Sequence, residues 1–323
     1  MTGAHRRVAV VGLGAISKYY LHSIDRLPGW ELAAVCDVRE SALAPHVDRT
    51  PCFQDHRTML QESDVDAVIV TVPNDVHVSV CADALRMRIP VCVEKPLAFS
   101  LGEGLDLVRL SRAAGVPLFT AFHRRYNDNV LNLLRQTRHR DITSLRVRYL
   151  ELIEEHIGDD TWYLDPQRCG GGCVADNGPN AFDLVRLFLG DLELMRTNVA
   201  RDAGGTDRQA VIELRSAAGV PATVELDWSH PGETKDVAVL FSDGTRLAAD
   251  MLAGHDGFKS SLWHEYSGIL GDFADAITAA PTTTDGGLAA LELVDATYRA
   301  ELRAPAGKPV ERADAAVSAG GDK

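Results

Sequence analysis

The chain has no apolar stretch approaching the roughly 20 residues needed to cross a bilayer, which excludes a helical membrane span. It is also short of basic side chains. The 33 Lys and Arg stand against 46 Asp and Glu, and the resulting net charge of -13 repels nucleic acid and anionic lipid surfaces. A small molecule is therefore the expected partner. The opening MTGAHRRVAVVGLG lacks a signal-peptide cleavage site, because its short apolar run ends in glycines, and a cytoplasmic location is expected. Cysteines are too scattered for a disulfide framework. Cys36, Cys52, Cys81 and Cys92 lie in or beside apolar runs, where a thiol acts as a small hydrophobe. Cys169 and Cys173 bracket three glycines and leave a disulfide or half of a metal site open, but no second pair has ligand spacing and no metal is expected. Internal repeats are absent, as is any linker rich in Pro or Ser.

What is present is the composition of an ordinary globular protein, 46% hydrophobic and 24% charged, in a chain of 323 residues that exceeds one typical domain. Short β-rich runs at Val8 to Val11, Glu31 to Cys36, Ala67 to Val72, Val91 to Val93 and Pro117 to Phe122 alternate with helix-like stretches such as Ser17 to Asp25 and Val76 to Arg86. This alternation predicts an α/β fold whose N-terminal part, residues 1–122, is a doubly wound parallel sheet of the Rossmann type. The pattern then changes. A helix near Asn129 to Thr137 precedes strands at Ser144 to Tyr149, Ala210 to Leu214 and Ala222 to Leu226, and a hairpin of Val237 to Phe241 with Arg246 to Ala249 turns at Asp243-Gly244. Residues 123–311 are thus expected to form a C-terminal α/β domain on an open, mostly antiparallel sheet, closed by helices near Leu262 to Ala279 and Gly287 to Arg303. Residues 312–323 have no periodicity and are expected to be a disordered tail.

The first site motif is Gly12-Leu13-Gly14-Ala15-Ile16-Ser17, between a strand and a helix. Gly12 allows a tight turn, Gly14 lets the backbone approach a pyrophosphate, and the following helix N-terminus offers unpaired N–H groups at Ala15 and Ile16. The third glycine of the usual fingerprint is missing, but Ser17 is small enough for that position. The next strand ends in Asp37, placed to accept the adenosine ribose hydroxyls. Asp37 repels a 2′-phosphate and so favours NAD, while Arg39 could bind that phosphate and keeps NADP as the lesser alternative.

Further motifs follow in order: Thr71-Val-Pro73-Asn74-Asp-Val-His77, Glu94-Lys95-Pro96, Phe122-His123-Arg124-Arg125-Tyr126, Trp162-Tyr163, and Gly170-Gly-Gly172 leading to Asp176-Asn-Gly178-Pro-Asn180. From Val8 to about Arg303 the chain resembles the glucose-fructose oxidoreductase and inositol dehydrogenase (Gfo/Idh/MocA) family. The resemblance implies NAD(P) between the two domains and a homodimer or homotetramer formed through the C-terminal sheet. It implies that Lys95 lies beside the nicotinamide and the reacting hydroxyl, that Thr71, Pro73, Asn74, His77 and Glu94 line the cofactor region, and that Trp162 touches the cofactor, although Tyr163 stands where an arginine is common.

Chemistry supports Lys95 independently, since hydride removal from a carbinol carbon needs a base for the hydroxyl proton. To serve near neutral pH, a lysine needs its pKa lowered by about 3 units. The family pattern Asp-x-Gly-x-His departs here: Asn180 replaces the histidine, and an asparagine can orient a hydroxyl but cannot take its proton. His123 is the candidate replacement, with His156 and His264 behind it, and Asp176 is a further catalytic candidate. Arg124, Asp159 and Asp160 are candidate contacts to substrate hydroxyls, together with Lys95, Asp176 and Asn180. The function expected is NAD-dependent hydride transfer at a hydroxyl or keto carbon of a sugar, sugar derivative or cyclitol. The alternatives are a lyase or glycosidase that uses bound NAD for transient oxidation, and a redox-inactive NAD-binding protein.

Overall fold

The computed structural model describes residues 5–158, 161–279 and 286–303; Asp159, Asp160 and the tail at 312–323 lie outside them. The N-terminal sheet is built from β1 (Arg6–Val11), β2 (Trp30–Cys36), β3 (Cys52–Phe53), β4 (Ala67–Val70), β5 (Val91–Glu94) and β6 (Leu118–Ala121). Its six strands are all parallel, in the order β3-β2-β1-β4-β5-β6. The central strands read as unbroken apolar runs because both faces are covered: every residue of β4 is buried, as are Val8 to Val11 of β1. Helices α1 (Ser17–Arg26), α2 (Glu40–Leu43), α3 (His56–Glu62), α4 (His77–Arg86) and α5 (Leu101–Ala114) make the crossovers. Strand order reverses between β1 and β4, so the crevice for a ligand opens beyond their carboxyl ends, at Gly12 and Thr71.

After α6 (Asp128–Thr137), the second sheet comprises β7 (Ile142–Leu152), β8 (Leu192–Arg201), β9 (Asp207–Ser216), β10 (Pro221–Asp227), β11 (Ser229–Phe241) and β12 (Arg246–Asp250). Its order is β12-β11-β7-β10-β9-β8, antiparallel throughout except for the parallel pair β7 and β10. The turn expected at Asp243-Gly244 joins β11 to β12, with Gly244 at φ +80°. Between β7 and β8 lie the short α7 (Pro166–Cys169) and the long α8 (Cys173–Leu189), and the described chain closes with α9 (Phe258–Thr278) and α10 (Gly286–Arg303). Alternate residues of the sheet, including Val147, Ile212, Val224 and Val239, point into one core shared with Val130 of α6, Phe182 and Val185 of α8 and Val294 of α10.

Two features were not legible in the sequence. Helix α9 crosses back to the first sheet: Leu262, Tyr266, Ile269 and Phe273, at helical spacing, pack with Val8, Val10, Tyr20 and Ile69. A stretch of the 123–311 segment is therefore part of the N-terminal layer in space. Helix α8 contains Gly178 and Pro179, residues that argue against a helix interior. Burial of every residue from Cys173 to Val185 holds it together, and Asp207 caps it by accepting the Val174 N–H at 2.8 Å. The triple glycine permits that approach. A Cβ on Gly172 would lie 2.8 Å from the Asp207 backbone nitrogen.

Candidate active site

The cofactor cradle forms where β1 ends. Gly12 has φ +93°, and a Cβ there would sit 2.7 Å from the Thr71 backbone, so two parallel strands meet at this point only through glycine. Gly14 by contrast faces open space, with nothing within 4 Å of the position a Cβ would occupy, as a phosphate approach requires. Among the described residues no side chain caps the N-terminus of α1, which leaves its N–H groups for an anion. Asp37 is buried at the end of β2, and its Oδ2 accepts the Leu13 N–H at 2.7 Å. Arg39 binds the same carboxylate through its backbone N–H, Nε and Nη2 at 2.9, 3.0 and 3.1 Å. Burial pushes the Asp37 carboxyl up, but these bonds outweigh it and hold the group below its usual range. The Arg39 side chain is 59% exposed and can leave, so a ribose can reach the carboxylate. The residues fit a dinucleotide. Gly12→Ala is expected to cost about 1–3 kcal/mol of stability through strain and to weaken NAD binding at least tenfold; urea denaturation and calorimetry check the two.

The Thr71–His77 segment is more structural than the sequence suggests. Thr71 Oγ1 donates to Gly12 O at 2.6 Å, and Asn74 Nδ2 donates to Cys169 O at 3.4 Å, tying the loop after β4 to α7. His77 is fully buried between Val72 O at 3.0 Å and Pro96 O at 2.8 Å, where it staples the end of β4 to the Lys95-Pro96 turn. Burial lowers its pKa to about 4 against the opposing pull of the two carbonyls. Both of its ring contacts are to backbone carbonyls, one of them on the residue after Lys95. Trp162 stacks on Tyr163 with ring centroids 3.9 Å apart.

Lys95, just beyond β5, reaches across to α8: its Nζ donates to Asp176 Oδ1 at 2.5 Å and to Asp176 O at 3.1 Å. Asn180 lies one turn further along the same face of α8. Its Nδ2 is 3.3 Å from His123 Nε2, and His123 Nδ1 is 2.6 Å from Glu265 Oε2 on α9. Lys95, Asp176, Asn180 and His123 are thus gathered into one cluster. The expectation of a lysine with a lowered pKa is corrected. Burial does push Lys95 down, but the Asp176 and Glu94 carboxylates outweigh it and raise the lysine above its ordinary value. Glu94, buried and bonded by the Tyr20 hydroxyl at 2.8 Å, is pushed up by burial to about 7.

Arg124 is placed differently from the expected substrate contact. It is completely buried, with Nη1 donating to Glu265 Oε1 at 2.9 Å and Ser261 Oγ at 3.0 Å, while Nε and Nη2 find no partner among the described residues. Next to Asp176, Asn177 Nδ2 donates to Glu151 Oε1 at 2.7 Å, and Glu151 Oε2 accepts Lys235 Nζ at 2.6 Å. Lys235 also bonds Glu233 and lies over the Phe258 ring, 4.1 Å from its centroid, with Arg124 over the same ring at 4.7 Å. Glu151, His156 and Glu233 come close enough to hold a metal, but the Lys235 ammonium already sits between the two carboxylates. Cys169 and Cys173 are buried free thiols.

Glu265, Glu151 and Lys235 were missed in the sequence, although signals existed. Lys235 keeps step with inward-facing Val237 and Val239, Glu151 with Val147 and Tyr149, and Glu265 with the buried stripe of Leu262 and Ile269. A charge on a buried face marks a paired network.

Comparison with known proteins bears on this arrangement. Residues 6–122 match the model of the GFO/IDH/MocA oxidoreductase family with its NAD-binding Rossmann fold, and residues 130–246 match the GFO/IDH/MocA C-terminal domain. The chain belongs to this family. It is 24% identical to the oxidoreductase YrbE of Bacillus subtilis over 56% of the chain, a match that spans only 53% of that protein. It is 26% identical to myo-inositol 2-dehydrogenase of Thermotoga maritima over 68% of the chain and 67% of the relative. The crystal structure of GenD2 from gentamicin A biosynthesis, in complex with NAD, has the same fold, with a TM-score of 0.84 at 21% identity over 94% of this chain and 95% of that one. Among the described residues, no helix is long and apolar enough to cross a membrane.

Proposed function

We propose that this protein is an NAD-dependent oxidoreductase that moves hydride between nicotinamide and a CH–OH carbon of a sugar, sugar derivative or cyclitol. The observation that carries the reading is the part-buried Lys95–Asp176 pair at the carboxyl end of β5, one strand from the point where the strand order reverses. NAD, when bound, supplies the hydride acceptor. Lys95 holds the reacting hydroxyl and receives its proton, Asp176 holds Lys95, and Asn180 orients the hydroxyl from one turn away. Around this centre, Lys95, Lys235 and Arg124 are outnumbered by Asp176, Glu151, Glu233 and Glu265, so a neutral polyol suits the site and a sugar acid or sugar phosphate does not. Turnover across a panel of neutral sugars, cyclitols and sugar acids, with NAD and NADP in parallel, tests the reading. Product formation without net NADH would favour a lyase or glycosidase, and binding without turnover a redox-inactive protein.

Cofactor choice follows from Asp37. NAD is expected to bind at least tenfold more tightly than NADP in calorimetry, and Asp37→Ala to erode the difference; equal affinities in the parent protein would contradict this. Assembly belongs to the same reading. The outer face of the second sheet carries the paired side chains Arg146–Glu225 and Arg148–Asp236, and copies of the chain are expected to associate through it, which light scattering reads directly.

A further inference from the structure

We infer that Glu265 and His123 are positioning residues that lock the Asn180 side chain with its carbonyl oxygen, rather than its amino group, turned toward the substrate. The inference rests on the proposed function only for the identity of the hydroxyl that Asn180 meets. It starts from Glu265, which is fully buried on α9. Its Oε1 accepts from Arg124 Nη1 at 2.9 Å and from Asn127 Nδ2 at 2.8 Å. Burial alone would raise this carboxyl, but the Arg124 cation and the donors around it lower it to about 2. A carboxylate can only accept, so the proton in the 2.6 Å contact to His123 belongs to Nδ1.

A neutral imidazole protonated at Nδ1 has a lone pair at Nε2. The groups facing His123 are Glu265, the Arg124 and Lys95 cations, the stacked Tyr266 ring 5.7 Å away, the edge-on Phe258 ring and Asn180. Burial, helped by the two cations, lowers its pKa to about 4 despite Glu265, so no second proton arrives near neutral pH. Nε2 therefore needs a donor, and the Asn180 amino group supplies it at 3.3 Å. The reverse amide orientation would set oxygen against a lone pair. Planarity of the amide then directs Oδ1 away from His123. That oxygen is buried and finds no hydrogen-bond partner among the described residues.

Leaving a buried acceptor unsatisfied is costly, and a bound group that donates to it removes that cost. In the resting complex Lys95 is the donor and Asn180 Oδ1 the acceptor for the alcohol; the hydroxyl proton passes to Lys95 in the fraction where the lysine is neutral, and the ketone product loses its bond to Asn180 because it only accepts. Asn180 thereby takes an orienting role, while the His123 imidazole fixes which atom it shows.

Glu265→Gln tests this sharply. Arg124 and Asn127 keep an oxygen at the Oε1 position, so the new amino group faces His123 and donates to Nδ1. The proton moves to Nε2, and the Asn180 amide turns over. Nitrogen NMR of the NAD-bound protein labelled at histidine should show the parent His123 with a protonated Nδ1 and a bare Nε2, and the variant with the reverse. Because the buried Arg124 loses its counter-charge, the melting temperature should fall, while NAD affinity should stay near the parent value and kcat on the polyol should fall about 10- to 100-fold. A second variant, Asn180→Asp, sets a carboxylate against Nε2 and should make His123 an imidazolium at about pH 6, whether or not Glu265→Gln folds. A parent His123 protonated at Nε2, or an Asn180→Asp protein whose His123 stays neutral, overturns the inference. Both readouts are made without substrate. Failure of every polyol to turn over would thus defeat the proposed function while leaving the tautomer result to stand or fall by itself.

Discussion

Lys95→Met is expected to lower turnover by roughly 100- to 10,000-fold while leaving NAD affinity within a few-fold. Methionine keeps the length and apolar stem of the lysine but cannot hold the hydroxyl or take its proton. The Lys95 ammonium is held by Asp176 Oδ1 at 2.5 Å, and the raised lysine pKa fixes the sign of the pH response. The base form is scarce near neutrality and accumulates as pH rises, so polyol oxidation should climb along a single alkaline ionisation. No further limb is expected near the ordinary imidazole value, because His123 is lowered to about 4 and its Nε2 is already engaged with Asn180. Stopped-flow and steady-state rates against pH, for parent and variant, decide the point; unaltered turnover in Lys95→Met would remove the lysine from the mechanism.

The second large effect concerns acid stability. His77 is buried and lowered from 6.5 to about 4, so the unfolded chain takes up a proton there before the folded one does. The stability contributed by a neutral His77 is present above about pH 6.5 and is lost as pH falls toward 4. The size is about 3 kcal/mol, from a shift near 2.5 units. Glu94 works in the opposite sense: raised to about 7, it favours the folded state as pH falls and offsets a comparable amount in the parent protein. The His77→Gln variant isolates the histidine. Urea denaturation should show the parent's advantage over this variant shrinking by about 3 kcal/mol between pH 7 and 4. A difference that does not change with pH would mean that His77 takes up its proton as readily in the folded chain as in the unfolded one.

The Rossmann half was legible because its signals are local. A run such as Val8 to Val11, a glycine turn and an acid at the next strand end each act within a few residues, and they recur where the structure has them. Lys95, Asp176 and Asn180 were legible as motif positions. Helix α8, which brings the latter two together, was not, because Gly178 and Pro179 look like breakers until burial on all sides compensates. The Glu265–His123 contact joins residues 142 positions apart, and no local pattern reports such a pairing. The burial of Arg124 was hidden for a related reason. Sequence shows a charged side chain, but only the fold shows that α9 closes over it and supplies Glu265 and Ser261 as partners.

The central step is hydride leaving a substrate carbon for NAD in the presence of Lys95. The measurement is mass spectrometry of the cofactor after incubation with neutral polyols deuterated at their carbinol carbons. The prediction is one deuterium in NADH per molecule of polyol oxidised by the parent protein, and almost none with Lys95→Met. Deuterium that never appears in NADH, although NAD is bound and the polyol is converted, would contradict it.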